Sequence, residues 1–377
     1  MGPTVIKPAW VLHGPDGDHF EPRLFGLLQA VRDTGKLTSA SSAVGLSYRH
    51  SWQLLARWSE MLGSDLVVME QGKGTRLTRL GERLLWVEQR TQASLFPQLE
   101  NIASELNVEI RRARRAPHPI VRVHASHGYA IELLPRLMPH DAPADVALKY
   151  TGSVEALASL ARGTCDLAGF HVPIGDMSEA FWAEYARFIR PRQQRVIRMV
   201  RRTQGLIVAA GNPLRIRDLA DLARPRVKFV NRQPGSGTRV LLDALLSRRG
   251  IASRAIRGYD NVEITHAAVA ATVASGVAHA GLGVAPAARA YRLDFIPIVE
   301  ERYLLACRAA SLESPSVQAI VALLRSTAFR RSIESVPGYR PDRPGDIATF
   351  GELFPDAFDA RRARRVTRHV RQAQGAA

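Results

Sequence analysis

The feature that most constrains this chain is an alternation of short apolar segments with amphipathic ones, which runs from residue 120 to about residue 336. The apolar run 146–148 precedes a helical pattern over 154–161, and the run 227–230 precedes an apolar helical pattern that starts near residue 240. Such alternation is typical of an α/β domain, in which helices cover a largely parallel sheet. We therefore expect most of the chain to fold as an α/β domain.

The length and charge of the chain limit how many domains it has and which partners it suits. With 377 residues, it exceeds what one ordinary core requires, so we expect two or three domains. Apolar residues make up 46% of the sequence and charged residues 23%, which excludes a disordered or fibrous protein. The 52 basic residues outnumber the 35 acidic ones and give a net charge of +17, which favours a nucleic acid as partner over an anionic membrane surface.

Several classes of function lack their sequence signatures. The two cysteines, Cys165 and Cys307, cannot form a disulfide framework, and no His or Cys spacing suits a metal. We expect no metal, no cofactor and no catalytic residues, because the nucleotide-binding P-loop and nucleophile-elbow motifs are also missing. His13, Asp16 and Asp18 stand where a signal peptide would need an apolar run, which predicts a cytoplasmic protein.

The start of the chain has the pattern of three short helices. Four apolar residues share one face of the first helix, which should end at Gly35: Leu24, Leu27, Leu28 and Val31. Thr38 and Ser39 are placed to cap a second helix and are also expected to contact DNA, and Gly45 allows a tight turn after this helix. Ser47 is placed to cap a third helix.

The third helix has two unlike halves on a helical wheel. The expected apolar half consists of Tyr48, Trp52, Leu55, Trp58 and Leu62. The expected front is basic and carries an amide, and it consists of Arg49, His50, Gln53 and Arg57. Arginine can bond two acceptors on guanine and glutamine can pair with adenine, so this front suits base reading in a groove of DNA. The spacing of the helices is that of a helix-turn-helix.

Two strand patterns, 66–69 and 75–78, follow this helix and are joined through the Gly-Lys-Gly sequence at 72–74. A hairpin with a basic tip is suited to lie along the DNA backbone or in the minor groove. Helix-turn-helix and hairpin together predict a DNA-binding domain. The alternative is a small helical domain with a solvated charged face.

Three segments of this region resemble a known family: GLSYRHSW at 45–52, Leu-Gly at 62–63 and RLTRLGERL at 76–84. They look like the winged helix of the ModE molybdate-responsive regulators and, more distantly, like that of LysR-type regulators, over residues 20–90. By this resemblance, the recognition surface would consist of Ser47, Tyr48, Arg49, His50 and Gln53. The wing would contribute Lys73 and Arg76.

A long helical pattern over residues 80–115 follows the hairpin. Its apolar residues form a narrow stripe: Leu80, Leu84, Val87, Leu95, Leu99, Ile102, Leu106 and Ile110. Such a stripe is typical of a helix that packs on a second copy of itself, and we expect a homodimer or possibly a tetramer. The alternative is that the stripe packs on its own domain. Pro97 should kink or split the helix.

The junction NRQPGSGTR at 231–239 is the most informative one in the α/β region. Gly235 and Gly237 allow the backbone to turn so that N–H groups converge at a helix N-terminus, where the helix dipole favours an anion. Hydroxyl and guanidinium donors lie beside them, from Ser236 and Thr238 and from Arg232 or Arg239. The alternative is a glycine turn that only connects a strand to a helix.

This junction, together with QGLIVAAGNP at 204–213, THAAV at 265–269 and Gly-Leu-Gly at 281–283, resembles the periplasmic-binding-protein-like domain of bacterial regulators. The resemblance covers residues 118–345 and implies two α/β lobes with a ligand gripped between them. The ligand-binding residues that it implies are Ser126, Thr151, Ser153 and His171 from one lobe and Ser236, Gly237, Thr238 and Arg239 from the other.

The expected fold class is therefore α+β and multidomain. A winged helix-turn-helix at 1–78 precedes a linker helix at 79–117, a two-lobed type II periplasmic-binding-protein-like domain at 118–345 and a basic tail at 346–377. The segment after Pro337 should be loop-like. Residues 264–288 should form a buried helix, turn and strand, because they lack charge but are rich in Ala and Gly.

The expected function is that of a one-component transcription regulator that binds operator DNA and senses a small anion. The ModE resemblance favours molybdate or tungstate as effector, and formate is the alternative because related regulators stand near molybdenum enzymes. The sequence is also compatible with a solute-binding protein, with a DNA-binding architectural protein, and with an anion-binding protein or enzyme that holds a phosphorylated substrate on residues 235–239. The basic run at 187–228 and the arginines between Arg361 and Arg371 suit either nonspecific phosphate contacts or ordinary solvation.

Overall fold

The computed structural model describes residues 6, 12–13, 19–20, 22–70, 74–114, 119–139, 141–175 and 178–358. Two compact units divide the chain, with a boundary between Phe96 and Pro97. Lys73 and the arginine-rich segment 361–371 lie outside the described residues, so the expectations for them stay predictions.

The N-terminal unit combines helices with two small hairpins. Strands β1 and β2 pair antiparallel, as do β3 and β4. The elements are β1 (Leu12–His13), β2 (His19–Phe20), α1 (Arg23–Thr34), α2 (Leu37–Ala43), α3 (Tyr48–Leu62), β3 (Val67–Glu70) and β4 (Gly74–Leu77). This is a helix-turn-helix followed by a β-hairpin wing, as the sequence predicts.

Local signals at the helix ends are confirmed at two positions. Gly35 ends α1 with a left-handed φ of 67°, a conformation that costs glycine little. The Ser47 hydroxyl accepts a hydrogen bond from the His50 amide and so caps α3. The cap expected for α2 is wrong. That helix begins at Leu37, after Lys36, so Thr38 and Ser39 lie exposed in its first turn.

The buried face of α3 is rotated from the expected one. Its buried residues are Ser51, Leu54, Leu55 and Trp58. Tyr48 and Trp52 were expected in the core but are 50% and 52% exposed. The reason is that the buried set begins at Ser51 and continues at Leu54, Leu55 and Trp58, three, four and seven residues later. Because Ser51 is polar, a search for apolar residues overlooks this face.

A single helix, α4 (Arg79–Arg114), follows the wing, and Pro97 lies inside it without splitting it. None of the eight apolar residues in the expected stripe is buried in the single chain. Val87, Ile102 and Leu106 are 52%, 53% and 41% exposed. The buried positions of α4 include Leu85, Ala93 and Ala103 instead, which lie on another side of the helix.

The rest of the chain is built on one ten-stranded sheet. Its strands are β5 (Ile120–Ala125), β6 (Asp145–Tyr150), β7 (Leu167–Pro173), β8 (Gln194–Val208), β9 (Phe229–Arg232), β10 (Val262–Glu263), β11 (Ala280–Val284), β12 (Asp294–Arg308), β13 (Tyr339–Pro341) and β14 (Ile347–Ala348). The main order is β10-β9-β11-β8-β12-β7-β5-β6, and β13 and β14 pair with β8.

The two longest strands, β8 and β12, pair antiparallel in the middle of this order. Parallel strands β5, β6 and β7 lie on one side, and parallel strands β9, β10 and β11 lie on the other. Each group of parallel strands forms one lobe, and β8 and β12 run through both. This arrangement is the expected two-lobed α/β fold.

Helices cover both lobes and bury two apolar cores. They are α5 (Leu133–Leu137), α6 (Ser153–Arg162), α7 (Ser178–Tyr185), α8 (Gly237–Arg248), α9 (His266–Ala274), α10 (Ala285–Ala290), α11 (Pro315–Arg325), α12 (Thr327–Glu334), α13 (Phe350–Leu353) and α14 (Pro355–Phe358). Residues 264–288 form α9, β11 and most of α10, which confirms the expected buried helix, turn and strand. In the described part of the chain, no helix is long and apolar enough to cross a membrane.

One expectation for this region is wrong. Residues 339–358, expected to be loop-like, form β13, β14, α13 and α14. The segment is ordered because Phe350 and Phe354 pack into the core of the sensor domain, where Phe350 stacks on Phe170 at 6.0 Å between ring centroids.

We expect Phe350→Ala to lower the free energy of unfolding of the sensor domain by about 3–5 kcal/mol, because Phe350 is fully buried and its removal leaves a cavity. Ile347→Ala, at a 37% exposed position of the same segment, is the control and should cost much less. Urea unfolding of the full-length protein measures both. Equal small losses would show that the segment does not belong to the core.

Candidate functional site

A cavity of about 130 Å³ lies between the two lobes, and we call it the interlobe cavity. It is small compared with the ~300–1,000 Å³ of sites for drug-sized ligands, so it suits a compact solute. It is lined by Pro97, Ser126, His127, Tyr150, Thr151, Gly152, His171, Arg202, Arg232, Gln233, Ser236, Gly237, Thr238, Ile264 and His266.

The cavity lies at the carboxyl ends of the parallel strands, where ligands bind in open α/β sheets. Ser126 follows β5, Thr151 follows β6, Gln233 follows β9 and Ile264 follows β10. His171 lies within β7, whereas the sequence placed it beyond the end of that strand. The sheet topology therefore brings residues that are distant in sequence to one point.

Three helices begin at the cavity wall: α6, α8 and α9. The starts of α6 and α8 face each other closely, since a Cβ atom on Gly152 would lie 3.0 Å from the carbonyl oxygen of Gly235. Gly235 has a φ of 78°, which supplies the sharp turn that the sequence predicts. Helix N-termini offer free N–H donors and a positive dipole end, so the wall favours an anion.

Two hydroxyls stand at the start of α8, on its cap Ser236 and on Thr238. The Ser236 oxygen accepts a hydrogen bond from the Arg239 amide at 3.2 Å, and the Thr238 oxygen accepts one from the Gln204 side-chain amide at 3.0 Å. Each hydroxyl keeps its own hydrogen, which it can donate to a ligand. The wall thus presents hydroxyl donors together with backbone ones.

Arg232 supplies a buried positive charge at this wall. It is 7% exposed and donates to the Ile264 carbonyl at 2.7 Å, and no carboxylate among the described residues lies within ion-pair distance of it. Burial, and then repulsion from Arg202, lower the pKa of Arg232 to about 9, so it stays protonated at neutral pH. A buried cation without a counterion favours binding of an anion.

Arg202 also lines the cavity, but its charge is already compensated. It forms an ion pair with Glu301, and the two side chains are 3% and 0% exposed. Arg202 lies on β8 and Glu301 opposite it on β12, so the pair joins the two long strands. Of the two arginines in the wall, Arg232 is therefore the one without a carboxylate partner among the described residues, and the third charged contact is that of His127 with Glu132 at 3.0 Å.

Two buried histidines complete the wall. The Nδ1 atom of His171 lies 3.0 Å from the Ser126 hydroxyl, and its ring stacks on Tyr303 at 3.8 Å. Burial, and then repulsion from Arg202 and Arg232, lower the pKa of His171 well below its ordinary value. Burial, and then Arg232 and Arg202, do the same for the pKa of His266. Both rings are neutral at pH 7, so they add no charge.

The structure brings most of the expected ligand-binding residues together. Six of the expected hydroxyl, glycine and histidine positions line the cavity: Ser126, Thr151, His171, Ser236, Gly237 and Thr238. Arg232 does so too, from the last position of β9. Ser153 is completely buried behind the wall, with its oxygen 3.5 Å from His171 Nδ1.

Arg239 requires a correction, because its guanidinium does not line the cavity. It lies over the Tyr259 ring, 4.0 Å from the centroid, and forms an ion pair with Asp243 at 3.2 Å. Since it is the third residue of α8, its side chain leaves the helix on the side away from the wall. The sequence left open which of Arg232 and Arg239 supplies the charge, and the structure places Arg232 at the cavity.

Sequence reasoning missed several lining residues. Arg202 belongs to the basic run at 187–228, yet it is 3% exposed, because the alternation of β8 points it inward. His266 follows directly after the helix cap Thr265, and this position is the signal by which the sequence could have indicated it. Pro97 belongs to the linker helix, and nothing in the sequence indicated that this helix reaches the cavity.

The expected DNA-contacting residues lie on the N-terminal unit. Ser47, Tyr48, Arg49, His50, Gln53 and Arg57 are all exposed at or near the start of α3. Arg76 lies exposed on the wing strand β4 and forms an ion pair with Glu70 across the hairpin at 2.7 Å. The basic front that the sequence predicts is therefore available, and Trp52 adds an aromatic ring to the exposed side of α3.

Residues 135–325 match the family described as the PBP superfamily domain, which is just over half of the chain. The chain belongs to this family of periplasmic-binding-protein-like domains.

Individual proteins are similar to it over different spans. The uncharacterized protein YvgK of Bacillus subtilis is 27% identical over 245 residues, which cover 65% of this chain and 79% of YvgK. The molybdenum transport protein ModE of Herbaspirillum seropedicae is 34% identical over 76 residues, which cover 19% of this chain and 28% of ModE. Among solved structures, a mutant of OxyR from Corynebacterium glutamicum aligns with a TM-score of 0.41 at 17% identity, over 82% of this chain and 93% of that one.

We expect the sensor domain to lose stability as the pH falls from 7 to 5. The folded state holds His171 and His266 neutral, whereas the unfolded chain takes up a proton at each below about pH 6.5, which costs up to about 2 kcal/mol per histidine at pH 5. His266→Asn removes one of the two histidines, so this variant should lose less stability between pH 7 and pH 5 than the wild type does. Urea unfolding at both pH values measures the difference. His50→Asn, on the exposed front of α3, is the control. If His266→Asn loses as much stability over this pH range as the wild type, the folded protein does not hold His266 neutral.

Proposed function

We propose that this protein is a one-component transcription regulator that binds operator DNA through its winged helix-turn-helix and senses a small oxyanion in the interlobe cavity. The observation that carries the proposal is a buried, uncompensated Arg232 among helix N-termini, in a chain that also presents an exposed basic helix front. Its work on DNA would lie in the cytoplasm, and the proposal assigns it no catalytic step.

The DNA-binding half rests on the surface of α3. A helix that begins at a capped turn, packs one side on two other helices and exposes Arg49, Gln53 and Arg57 suits entry into the major groove. Arginine and glutamine read guanine and adenine edges, and the short hydroxyl at Ser47 suits a phosphate. A stretch of 76 residues is 34% identical to the molybdenum transport protein ModE, a member of the family whose winged helix residues 20–90 resemble.

A homodimer would double the number of half-sites that the protein contacts. The apolar stripe of α4 supports this arrangement, because Val87, Ile102 and Leu106 stay exposed in the single chain. The stripe to which they belong recurs at intervals of three, four and eight residues along one helix, which suits a second copy of the same helix.

The charge and size of the cavity define the effector class. The unpaired Arg232, three helix N-termini and hydroxyl donors favour a compact anion. Because the donors dominate the wall, a fully deprotonated oxyanion satisfies them best, and we propose molybdate or tungstate, in line with the ModE similarity. Formate is the second candidate, since a small carboxylate presents the same acceptors to the same donors.

The anion would act by holding the two lobes together. Its oxygens would contact α6 on one lobe and Arg232 and α8 on the other, so it would bind the closed arrangement more tightly than an open one. Such a difference in affinity is what shifts a conformational equilibrium. The linker helix α4 would carry the change toward the DNA-binding unit.

We expect Arg232→Gln to weaken anion binding roughly 10-fold to 150-fold, because a charge-assisted hydrogen bond contributes about 1.5–3 kcal/mol. Arg239→Gln removes the same charge three residues into α8, outside the cavity, and should stay within a few-fold of the wild type. Calorimetry with molybdate, tungstate, formate and phosphate on the full-length protein measures the effect. Equal losses in both variants would argue for a general charge effect and against a site at Arg232.

We expect Arg49→Ala to weaken operator binding by about 1–3 kcal/mol and to relax base preference, because Arg49 lies on the exposed front of α3. Arg32→Ala, an equally exposed arginine on α1, is the matched control for charge. Gel-shift titrations on DNA selected in vitro with the full-length protein measure both. The assignment of the recognition helix fails if Arg49→Ala and Arg32→Ala bind with the same affinity and base preference.

A further inference from the structure

The linker helix hydrogen-bonds directly to the edge of the sensor sheet. Strand β6 is the last strand of the sheet, so one row of its backbone groups has no neighbouring strand. The side-chain amide of Asn101 meets this edge at two points. Its oxygen accepts from the Tyr150 N–H at 2.6 Å, and its nitrogen donates to the Tyr150 carbonyl at 3.2 Å.

A second side chain of α4 extends the contact. The Ser104 hydroxyl oxygen accepts from the Leu148 N–H at 3.0 Å. Residues 148 and 150 direct their N–H groups to the same side of β6, because backbone groups alternate along a strand. Asn101 and Ser104, three apart on α4, therefore take the place of a neighbouring strand. We call these three hydrogen bonds the Asn101 clamp.

The clamp lies beside the interlobe cavity. Tyr150 itself lines the cavity, and the next two residues, Thr151 and Gly152, form the wall at the start of α6. Pro97, one turn before Asn101 on α4, lines the cavity as well. The segment that an anion would contact thus continues, without an intervening residue, into the segment that Asn101 holds.

We propose that Asn101 is a coupling residue, through which occupation of the interlobe cavity changes the position of α4. An anion drawn to the start of α6 shifts residues 150–152, and the two bonds from Asn101 oblige the helix to follow. Because α4 is one helix from Arg79 to Arg114, the shift reaches the segment that follows the wing. This inference rests on the proposed function and names the contact that would carry the signal.

A purely structural role makes a different prediction. If the clamp only covers a sheet edge, its loss lowers stability but leaves the response of DNA binding to the anion unchanged. If the clamp couples the two sites, its loss reduces that response even where each site still binds its own ligand. The informative quantity is therefore the ratio of operator affinities with and without the anion.

The experiment uses the full-length protein, sodium molybdate and DNA selected in vitro, with the variants Asn101→Ala, Asn101→Asp and Gln98→Ala. In natural allosteric proteins, one ligand commonly changes the affinity for the other by about 5-fold to 150-fold. In Asn101→Ala, we expect the ratio of operator affinities with and without molybdate to lie within about 3-fold of one. Asn101→Asp keeps the acceptor for the Tyr150 N–H but loses the donor, so its ratio should be intermediate. Gln98→Ala, at an exposed position of the same helix, should respond as the wild type does.

Two further measurements distinguish a loss of coupling from a loss of molybdate binding. Calorimetry without DNA should give a molybdate affinity for Asn101→Ala within about 5-fold of the wild type. Hydrogen exchange should show that molybdate slows exchange of the Tyr150 and Leu148 amides in the wild type more than in Asn101→Ala. Ser104→Ala, which removes one bond of the clamp, replaces Asn101→Ala if that variant does not fold, and it should lower the ratio partially.

The outcomes separate the two proposals. If the wild type responds to molybdate and Asn101→Ala responds equally within about 2-fold, the clamp does not couple the sites. If Asn101→Ala no longer binds molybdate at all, Asn101 positions the cavity wall and the coupling role is refuted. If the operator affinity of the wild type ignores molybdate, tungstate and formate alike, the proposed function fails, and the coupling fails with it.

Discussion

The ion pair between Arg202 and Glu301 is the interaction around which the sensor domain is organised. It joins β8 to β12 at the point where the two long strands pass between the lobes, and both side chains are almost completely buried. Breaking a buried pair by removing one partner leaves an uncompensated charge in the interior, which is strongly destabilising. The pair therefore fixes the register of the strands that connect the lobes, and Arg202 can form part of the cavity wall without adding net charge to it.

Because Arg202 is paired with Glu301, Arg232 is the arginine of the cavity wall that has no carboxylate partner among the described residues. The pKa of Arg232 is lowered by burial, and the lowered pKas of His171 and His266 keep these two rings uncharged at neutral pH. A buried, unpaired arginine beside helix N-termini is suited to a compact anion and poorly suited to a cation. The same reasoning explains why Arg239, only seven residues away, has a different role: it has Asp243 and the Tyr259 ring as partners outside the cavity.

The linker helix connects the two halves of the proposed function through ordinary contacts. Val87, Ile102 and Leu106 of α4 stay exposed, whereas Leu80 and Leu84 pack against the apolar core of the N-terminal unit. Further along the same helix, Asn101 and Ser104 bond the edge of the sheet. In the homodimer that we propose, the exposed apolar residues would contact the second copy, while the small residues Ala93 and Ala103 are buried within the single chain.

The local features of this protein follow from short stretches of its sequence. Capping at Ser47, the left-handed Gly35, the turn at Gly235 and the alternation of strands and helices all depend on residues close together in the chain, and each is predictable. Three other features depend on how distant parts of the chain pack: the buried face of α3, the position of Arg232 rather than Arg239 at the cavity, and the burial of Arg202 beside Glu301. The physical reason is that burial and charge compensation depend on partners that are distant in sequence. Asn101 and Tyr150, 49 residues apart, become neighbours only when α4 meets the edge of the sheet.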